Sequence, residues 1–284
     1  ARHPAYDLLL RAWFPTQLVV LAAVAWTLHA GRHSPVEAVA LGLVTGLVTG
    51  GSGITIAHEL MHRRARHDRA LAELLMLTAL YPWFCVEHVQ GHHRTVSTPD
   101  DPAFAPRGLP LFRYLPRTVL GGLRSAWALE TQRVQRRGVR GLADRRWRYT
   151  LELALVGLAL WLVGGLVAVW FLTQAVTAVL LLETINYVEH YGLARAQRPS
   201  GRYERVDPRH SWNTPARLTN AYLFNLQRHA DHHAFAARPY DQLRNHPGSP
   251  ELPAGYPTMV LLALVPPLWF RIMNPRVDAV AAQG

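Results

Sequence analysis

Residues 150–182 read TLELALVGLALWLVGGLVAVWFLTQAVTAVLLL, and Glu152 is the only charged residue among them. As one helix this stretch would extend about 50 Å at 1.5 Å per residue, well beyond the ~30 Å hydrocarbon core of a bilayer. A break near Gly164-Gly165 would divide it into two membrane-spanning helices, at 150–166 and 168–190. The stretch therefore predicts a helical hairpin within a membrane.

Two further spans are predicted upstream, at 12–30 and 36–57, because both are apolar and a polar turn separates them. In the second of these, Gly42 and Gly46 are four residues apart. Small residues at that spacing let a neighbouring helix approach closely in lipid.

Two other apolar segments are too short to cross a bilayer, at 70–86 and 257–270, and both contain proline. We expect re-entrant or interfacial helices there. The fold class predicted from these patterns is all-α, a polytopic membrane helical bundle with about four spanning helices that forms a single domain over residues 1–284.

The charge of the chain is concentrated between the apolar segments. All thirty basic residues are arginine, the net charge is +11, and eleven of the arginines lie between Arg107 and Arg148. The positive-inside rule places residues 58–149, and everything after the fourth span, on the cytoplasmic side. Binding of nucleic acid is not expected, because the arginines alternate with spans and no nucleic-acid motif accompanies them. The single cysteine, Cys85, excludes a disulfide framework.

Nine of the fifteen histidines form four groups at or just after the ends of hydrophobic segments. They are His58 and His62 in HELMH, His88, His92 and His93 in EHVQGHH, His190 in NYVEHYGL, and His229, His232 and His233 in LQRHADHHA. Histidines three or four residues apart share a helix face, where both can bind one metal. Zinc sites use three or four protein ligands, so nine imidazoles predict at least two metal ions, and iron fits this ligand type best.

Each group also contains a carboxylate next to or between its histidines, which suits it to accept the distal imidazole N–H and to offset metal charge. These are Glu59, Glu87, Glu189 and Asp231. The remaining histidines are interpreted as ordinary core or surface residues, with His210 open to a supporting role.

These four motifs resemble those of the membrane-bound alkane 1-monooxygenases of the AlkB type, within the histidine-box fatty-acid desaturase and hydroxylase superfamily. The segments TPDDPA at 98–103, AWALE at 126–130 and GYP at 255–257 are similar as well. Desaturases share histidine boxes, whereas EHYGL and LQRH favour the hydroxylases. The chain departs from the family at Arg63 and Ala230, where lysine and serine are usual, and neither position supplies a ligand.

The resemblance implies terminal hydroxylation of medium-chain n-alkanes to 1-alkanols, with O2 and two iron ions held by the nine histidines. Electrons would come from reduced rubredoxin, with rubredoxin reductase and NADH, docked on the arginine-rich face. A fused rubredoxin would need four cysteines, so we expect a separate donor. The alkane would enter from the lipid phase, and Tyr81, Trp83 and Phe84 are candidate channel residues or ordinary packing residues.

The same resemblance implies an integral protein of the bacterial inner membrane, with the active site toward the cytoplasm. It also implies six spanning helices, so the chain is expected to begin near the third.

Three alternatives remain open at this stage. A fatty-acid desaturase or another lipid hydroxylase would need a similar oxidant. An intramembrane zinc metalloprotease would use His58, Glu59 and His62, but that leaves seven clustered histidines unexplained. A metal transporter would place its ligands near the bilayer midplane and not at helix ends.

Overall fold

The computed structural model describes residues 4–282, and its regular structure in that range is helical apart from two isolated β-bridges. The all-α prediction is therefore confirmed. The chain divides into two compact units, the first made of residues 4–86 and 126–182 and the second of 87–125 and 183–282. The prediction of a single domain over 1–284 stays a prediction.

Eleven helices carry the fold across the described range. They are α1 (Pro4–Ala30), α2 (Pro35–Met61), α3 (Arg66–Thr78), α4 (84–95), α5 (Leu111–Arg137), α6 (Arg145–Val163), α7 (Gly165–His190), α8 (Arg217–Tyr222), α9 (His229–Ala234), α10 (Tyr256–Ala263) and α11 (Pro266–Ala281). Two of them contain a π-helical turn, α2 at Thr49–Ile54 and α4 at His88–His92.

Three helices, α1, α2 and α7, are long and apolar enough to cross a bilayer. The predicted break between the third and fourth spans is confirmed, because α6 ends at Val163 and Gly164 and Gly165 have φ values of 63° and 52°. Backbone in that left-handed region strongly favours glycine.

Helix α6 occupies the position predicted for the third span but does not match a full crossing. Four of its first eight residues are charged, Arg145, Arg146, Arg148 and Glu152. The uncharged part, 153–163, is only about 16 Å long at 1.5 Å per residue. The described range thus contains three helices of membrane length, whereas about four were predicted.

The two short apolar segments are interrupted helices. Helix α3 ends at Thr78, and the chain turns through Leu80, which has a φ of 55°, before α4 begins at residue 84. Near the other end of the chain, α10 has 8 residues and α11 has 16. All of them are shorter than the ~20 residues that a crossing requires.

In the first unit, the glycines of α2 allow close packing against α7. A Cβ at Gly42 would lie 2.6 Å from Thr173 Cβ, and one at Gly46 would lie 2.5 Å from Thr177 Cβ. Nearby, the indole of Trp170 donates to Thr45 Oγ1 at 3.2 Å. The close approach predicted from the glycine spacing is confirmed.

Buried polar side chains join three helices of the same unit around Thr78. The Gln17 amide on α1 donates to Thr78 Oγ1, and the Gln174 amide on α7 donates to the Thr78 carbonyl, each at 2.7 Å. Closer to the start of α1, Arg11 forms an ion pair with Asp68 at 2.7 Å. Hydrogen bonds between helices replace the water that these groups lose in an apolar interior.

Replacing Gly46 with alanine should lower the thermal unfolding temperature in detergent, because the added methyl group has no room beside Thr177. Overpacking of this kind destabilises by about 1–3 kcal/mol. The matched control is Gly157→Ala, since a Cβ at Gly157 meets no atom within 4 Å. Tryptophan fluorescence during heating measures both, and equal melting temperatures would contradict the close contact of α2 with α7.

Candidate metal centre

Four buried histidines of the second unit turn their ring nitrogens toward one another. They are His92 on α4, His190 at the end of α7, and His229 and His233 on α9, and each offers one nitrogen within 4.8 Å of the others. The Nε2 of His229 lies 3.2 Å from that of His190 and 2.8 Å from that of His233. We call these residues the four-histidine cluster.

Three further histidines of the same unit meet in a second group, the three-histidine cluster. The Nε2 atom of His93 lies 3.0 Å from that of His88 and 3.1 Å from that of His232. Of the nine histidines predicted as ligands, the second unit therefore gathers seven, in two groups.

Because of the π-helical turn in α4, the histidines of the second motif belong to two different clusters. The sequence offers His88 and His92 as an i,i+4 pair, which would share a face of an ordinary α-helix. Because His88–His92 is π-helical, the turn closes five residues apart, and His88 faces His93. His92 belongs to the other cluster. π-Helical turns are frequent at functional sites, but the sequence pattern does not reveal this one.

His58 and His62 lie in the first unit, on successive turns at the end of α2. Their ring centroids are 5.2 Å apart, which agrees with the predicted i,i+4 stacking on one helix face. Their role as metal ligands stays a prediction.

The chemistry of the clustered nitrogens fits a metal ion. In the four-histidine cluster the third short Nε2 pair, His92 with His233, is 3.3 Å apart. Metal–nitrogen bonds of about 2.0–2.1 Å place neighbouring ligand nitrogens about 3 Å apart, so the observed spacing suits one shared cation. Neutral imidazole is a ligand that iron, zinc and copper all accept.

Asp101 holds one of these histidines in the orientation that a ligand needs. Its Oδ2 lies 2.8 Å from His92 Nδ1, and its Oδ1 accepts the backbone N–H of Ala103 at 2.9 Å. A proton on Nδ1 leaves the Nε2 lone pair free to face the cluster. Burial lowers the pKa of His92, whereas the carboxylates of Asp101 and Glu87 raise it, to about 9, so binding of a metal ion would displace a proton from Nε2.

Asp101 was not predicted to have a role, although it lies in the TPDDPA segment that carries part of the family resemblance. The signal in the sequence is its position nine residues after the predicted ligand His92.

Two of the predicted supporting carboxylates have partners other than those expected. Glu189 accepts the hydroxyl of Tyr256 at 2.8 Å, and its second oxygen lies 3.2 Å from Nε2 of His229, the nitrogen that faces the cluster. Asp231 is fully buried and binds Arg238, the backbone N–H of Arg244 and His246 Nε2. Asp231 therefore bonds the loop that follows α9 to this helix. His246, which was predicted to be an ordinary residue, provides one of these bonds.

The other two predicted carboxylates lie within their histidine motifs. Glu59 accepts a hydrogen bond from the guanidinium of Arg63, which follows the end of α2. Glu87 is buried next to His88, and burial together with the charge of Asp101 raises its pKa to about 8. His210 bonds Glu204 at 3.1 Å and the Asp207 backbone N–H at 3.0 Å, and it belongs to neither cluster.

The three predicted channel residues pack on one another in the first unit. The ring of Tyr81 lies 4.8 Å from that of Trp83 and 5.8 Å from that of Phe84, measured between centroids. None of them lines the apolar cavity of about 450 Å³ in the same unit. That cavity lies among α1, α3, α6 and α7, and its lining includes Leu18, Leu77, Val156, Val167, Trp170 and Phe171.

Comparison with known proteins adds independent information. The model of the fatty acid desaturase family matches residues 34–263. Alkane 1-monooxygenase 2 of Pseudomonas aeruginosa is 44% identical over 98% of this chain and 74% of its own length. Alkane 1-monooxygenase 1 of the same organism is 46% identical over 84% of this chain and 64% of its own length. The enzyme of Acinetobacter baylyi is 38% identical over 96% of the chain and 68% of its own length.

These similarities confirm the resemblance that the histidine motifs predict. The chain spans roughly two thirds to three quarters of the length of these relatives.

Replacing Asp101 with asparagine should weaken metal binding, because a neutral amide oxygen accepts the Nδ1–H of His92 more weakly than a carboxylate does. Loss of such a partner typically costs 10–100-fold in metal affinity, and we expect a loss of about that size. The matched control is Asp100→Asn, since Asp100 is exposed and adjacent in sequence. Metal retained during a chelator titration measures both variants, and equal retention would refute the role of Asp101.

Proposed function

Because the chain belongs to the alkane 1-monooxygenase family, we propose that it hydroxylates the terminal methyl group of medium-chain n-alkanes to give 1-alkanols. The observation that carries the proposal is the pair of histidine clusters in the second unit, whose grouped ligand atoms are imidazole nitrogens. Together with three helices of membrane length, these clusters fit an integral membrane oxygenase.

We propose that two iron ions occupy the site when the enzyme is active. The ligands would be His58, His62, His88, His92, His93, His190, His229, His232 and His233. Bound iron supplies the redox chemistry by which O2 becomes able to hydroxylate an unactivated C–H bond. Seven of these imidazoles are already gathered in two groups, as two metal ions require.

The surrounding residues hold the imidazoles and exclude water. Asp101 fixes the proton of His92 on Nδ1, and Tyr256 donates its hydroxyl to Glu189 beside His229. All of these side chains are buried, so bulk water has no access to them. A dry site protects a strong oxidant from side reactions.

The apolar cavity in the first unit supports a hydrocarbon substrate. Its walls are aliphatic and aromatic side chains, with Thr78 the one polar residue among those lining it. A volume of about 450 Å³ falls within the range of small-molecule sites. A chain without polar groups can be selected there only by length and shape. Tyr81, Trp83 and Phe84 remain proposed channel residues.

Electrons would be delivered by an acidic redox protein, which we propose is rubredoxin, itself reduced by rubredoxin reductase and NADH. Arg94 is exposed directly after His93, and the Arg195 guanidinium donates to the Arg94 carbonyl at 3.0 Å. Exposed Arg198, Arg202 and Arg205 follow in the same unit. Complementary charge steers such encounters. This side would face the cytoplasm from the bacterial inner membrane.

The purified protein, supplied with iron, rubredoxin, its reductase and NADH, should convert octane to 1-octanol, as measured by gas chromatography. Replacing His190 with alanine should abolish turnover and lower the iron content, because a buried ligand is lost. The matched control is His67→Ala, since the side chain of His67 is 65% exposed and outside both clusters. Alkenes in place of alcohol would support a desaturase, and a fully active His190 variant would remove this residue from the ligand set.

The donor concentration that gives half-maximal turnover should rise with ionic strength, because salt screens the exposed arginines of the second unit. The Debye length falls from about 30 Å at 0.01 M salt to about 3 Å at 1 M. Replacing Arg94 with glutamine should raise that concentration at low salt and weaken its salt dependence. Turnover that changes neither with ionic strength nor with the Arg94 substitution would contradict docking at this surface.

A further inference from the structure

The segment around the turn between α5 and α6 contains seven arginines, and the structure divides them into two sets. Four are bonded to carboxylates within the first unit. These are Arg133 with Glu130, Arg145 and Arg148 with Glu73, and Arg146 with Asp144. The other three, Arg136, Arg137 and Arg140, are exposed, and no carboxylate of the described residues lies within ion-pair distance of them.

The backbone keeps these three arginines close together. Helix α5 ends at Arg137, and Gly138, with a φ of 62°, returns its N–H to the Val134 carbonyl at 2.9 Å. Asp144 then caps α6 by accepting the backbone N–H of Arg146 at 3.0 Å. Three unpaired cations thus lie within five consecutive residues, at the end of α5 and in the turn that follows it.

An exposed apolar stripe begins beside the same turn. Leu142 is 59% exposed and Trp147 is 65% exposed. Along α6 the stripe continues through Leu151, Leu155, Leu158 and Leu162, all at least 46% exposed and three or four residues apart. From Trp147 to Leu162 it extends about 22 Å along the helix axis.

We propose that this turn binds the headgroups of anionic phospholipids, with Arg136, Arg137 and Arg140 on the phosphates. The stripe on α6 faces the acyl chains, and Trp147 lies at the level where indole rings concentrate, between hydrocarbon and headgroups. The guanidinium group binds phosphate oxygens through two parallel hydrogen bonds. Along this surface, positive charge is followed by exposed apolar side chains, which is the order of headgroups and acyl chains in a bilayer.

A lipid fits this surface better than an acidic protein does. The three arginines adjoin large apolar side chains that remain exposed, which a water-soluble partner would have to cover completely. Arg198, Arg202 and Arg205 of the second unit have no such stripe beside them, because no large hydrophobic side chain is exposed in 194–209. The proposal does not depend on the proposed catalytic function.

The test uses the full chain in a neutral detergent, titrated with dioleoyl phosphatidylglycerol or with dioleoyl phosphatidylcholine, and native mass spectrometry counts bound lipid. We expect phosphatidylglycerol to bind more tightly and phosphatidylcholine to be insensitive to the substitutions. The variant R136Q/R137Q/R140Q should weaken phosphatidylglycerol binding on the order of 100-fold, from about fivefold for each arginine. The matched control, R198Q/R202Q/R205Q, removes equal charge from the second unit and should retain binding.

Equal loss in both triple variants would overturn the proposal, because it would mean that net charge alone attracts the lipid. Unchanged lipid binding in R136Q/R137Q/R140Q, with a raised requirement for the electron donor, would assign the turn to a protein partner instead. If that variant does not fold, the wild-type chain decides, since headgroup binding must weaken as salt rises. Salt-independent binding of phosphatidylglycerol would contradict the proposal.

Discussion

Imidazole nitrogens that lie about 3 Å apart inside a protein need a cation between them, to which their lone pairs can bind. In the four-histidine cluster the Nε2 atoms of His190, His229 and His233 meet in this way, and a Glu189 oxygen lies 3.2 Å from His229 Nε2. Other residues of the second unit orient these histidines. The π-helical turn of α4 directs His92 and His93 to different clusters, and Asp101 fixes the proton of His92.

Much of the fold could be predicted because hydropathy and glycine report local constraints. The break at Gly164 and the close approach at Gly46 follow from properties of single residues, namely left-handed backbone and the absence of a side chain. The third predicted span was less well defined. Window hydropathy does not detect that α6 begins at Arg145, because an N-cap such as Asp144 is a property of a single residue.

The ligand histidines could be proposed from spacing, but their partners could not. An i,i+4 rule assumes an α-helix, whereas His88 faces His93 across a π-helical turn. Proximity in sequence does not identify the partner of a carboxylate, since Asp231 lies between predicted ligands and yet binds the loop residues Arg238 and His246. The carboxylate that bonds a clustered histidine, Asp101, is nine residues away from His92, and only the path of the chain brings them together.

The metal content of the purified chain tests most directly the proposal that the histidine clusters hold two iron ions. Elemental mass spectrometry of detergent-purified protein, grown and handled without added metal, counts iron and zinc per chain. Two irons per chain are predicted, because seven imidazoles form two separate groups of ligand nitrogens in the second unit. One zinc per chain, unchanged after reconstitution with ferrous iron, would contradict the di-iron assignment.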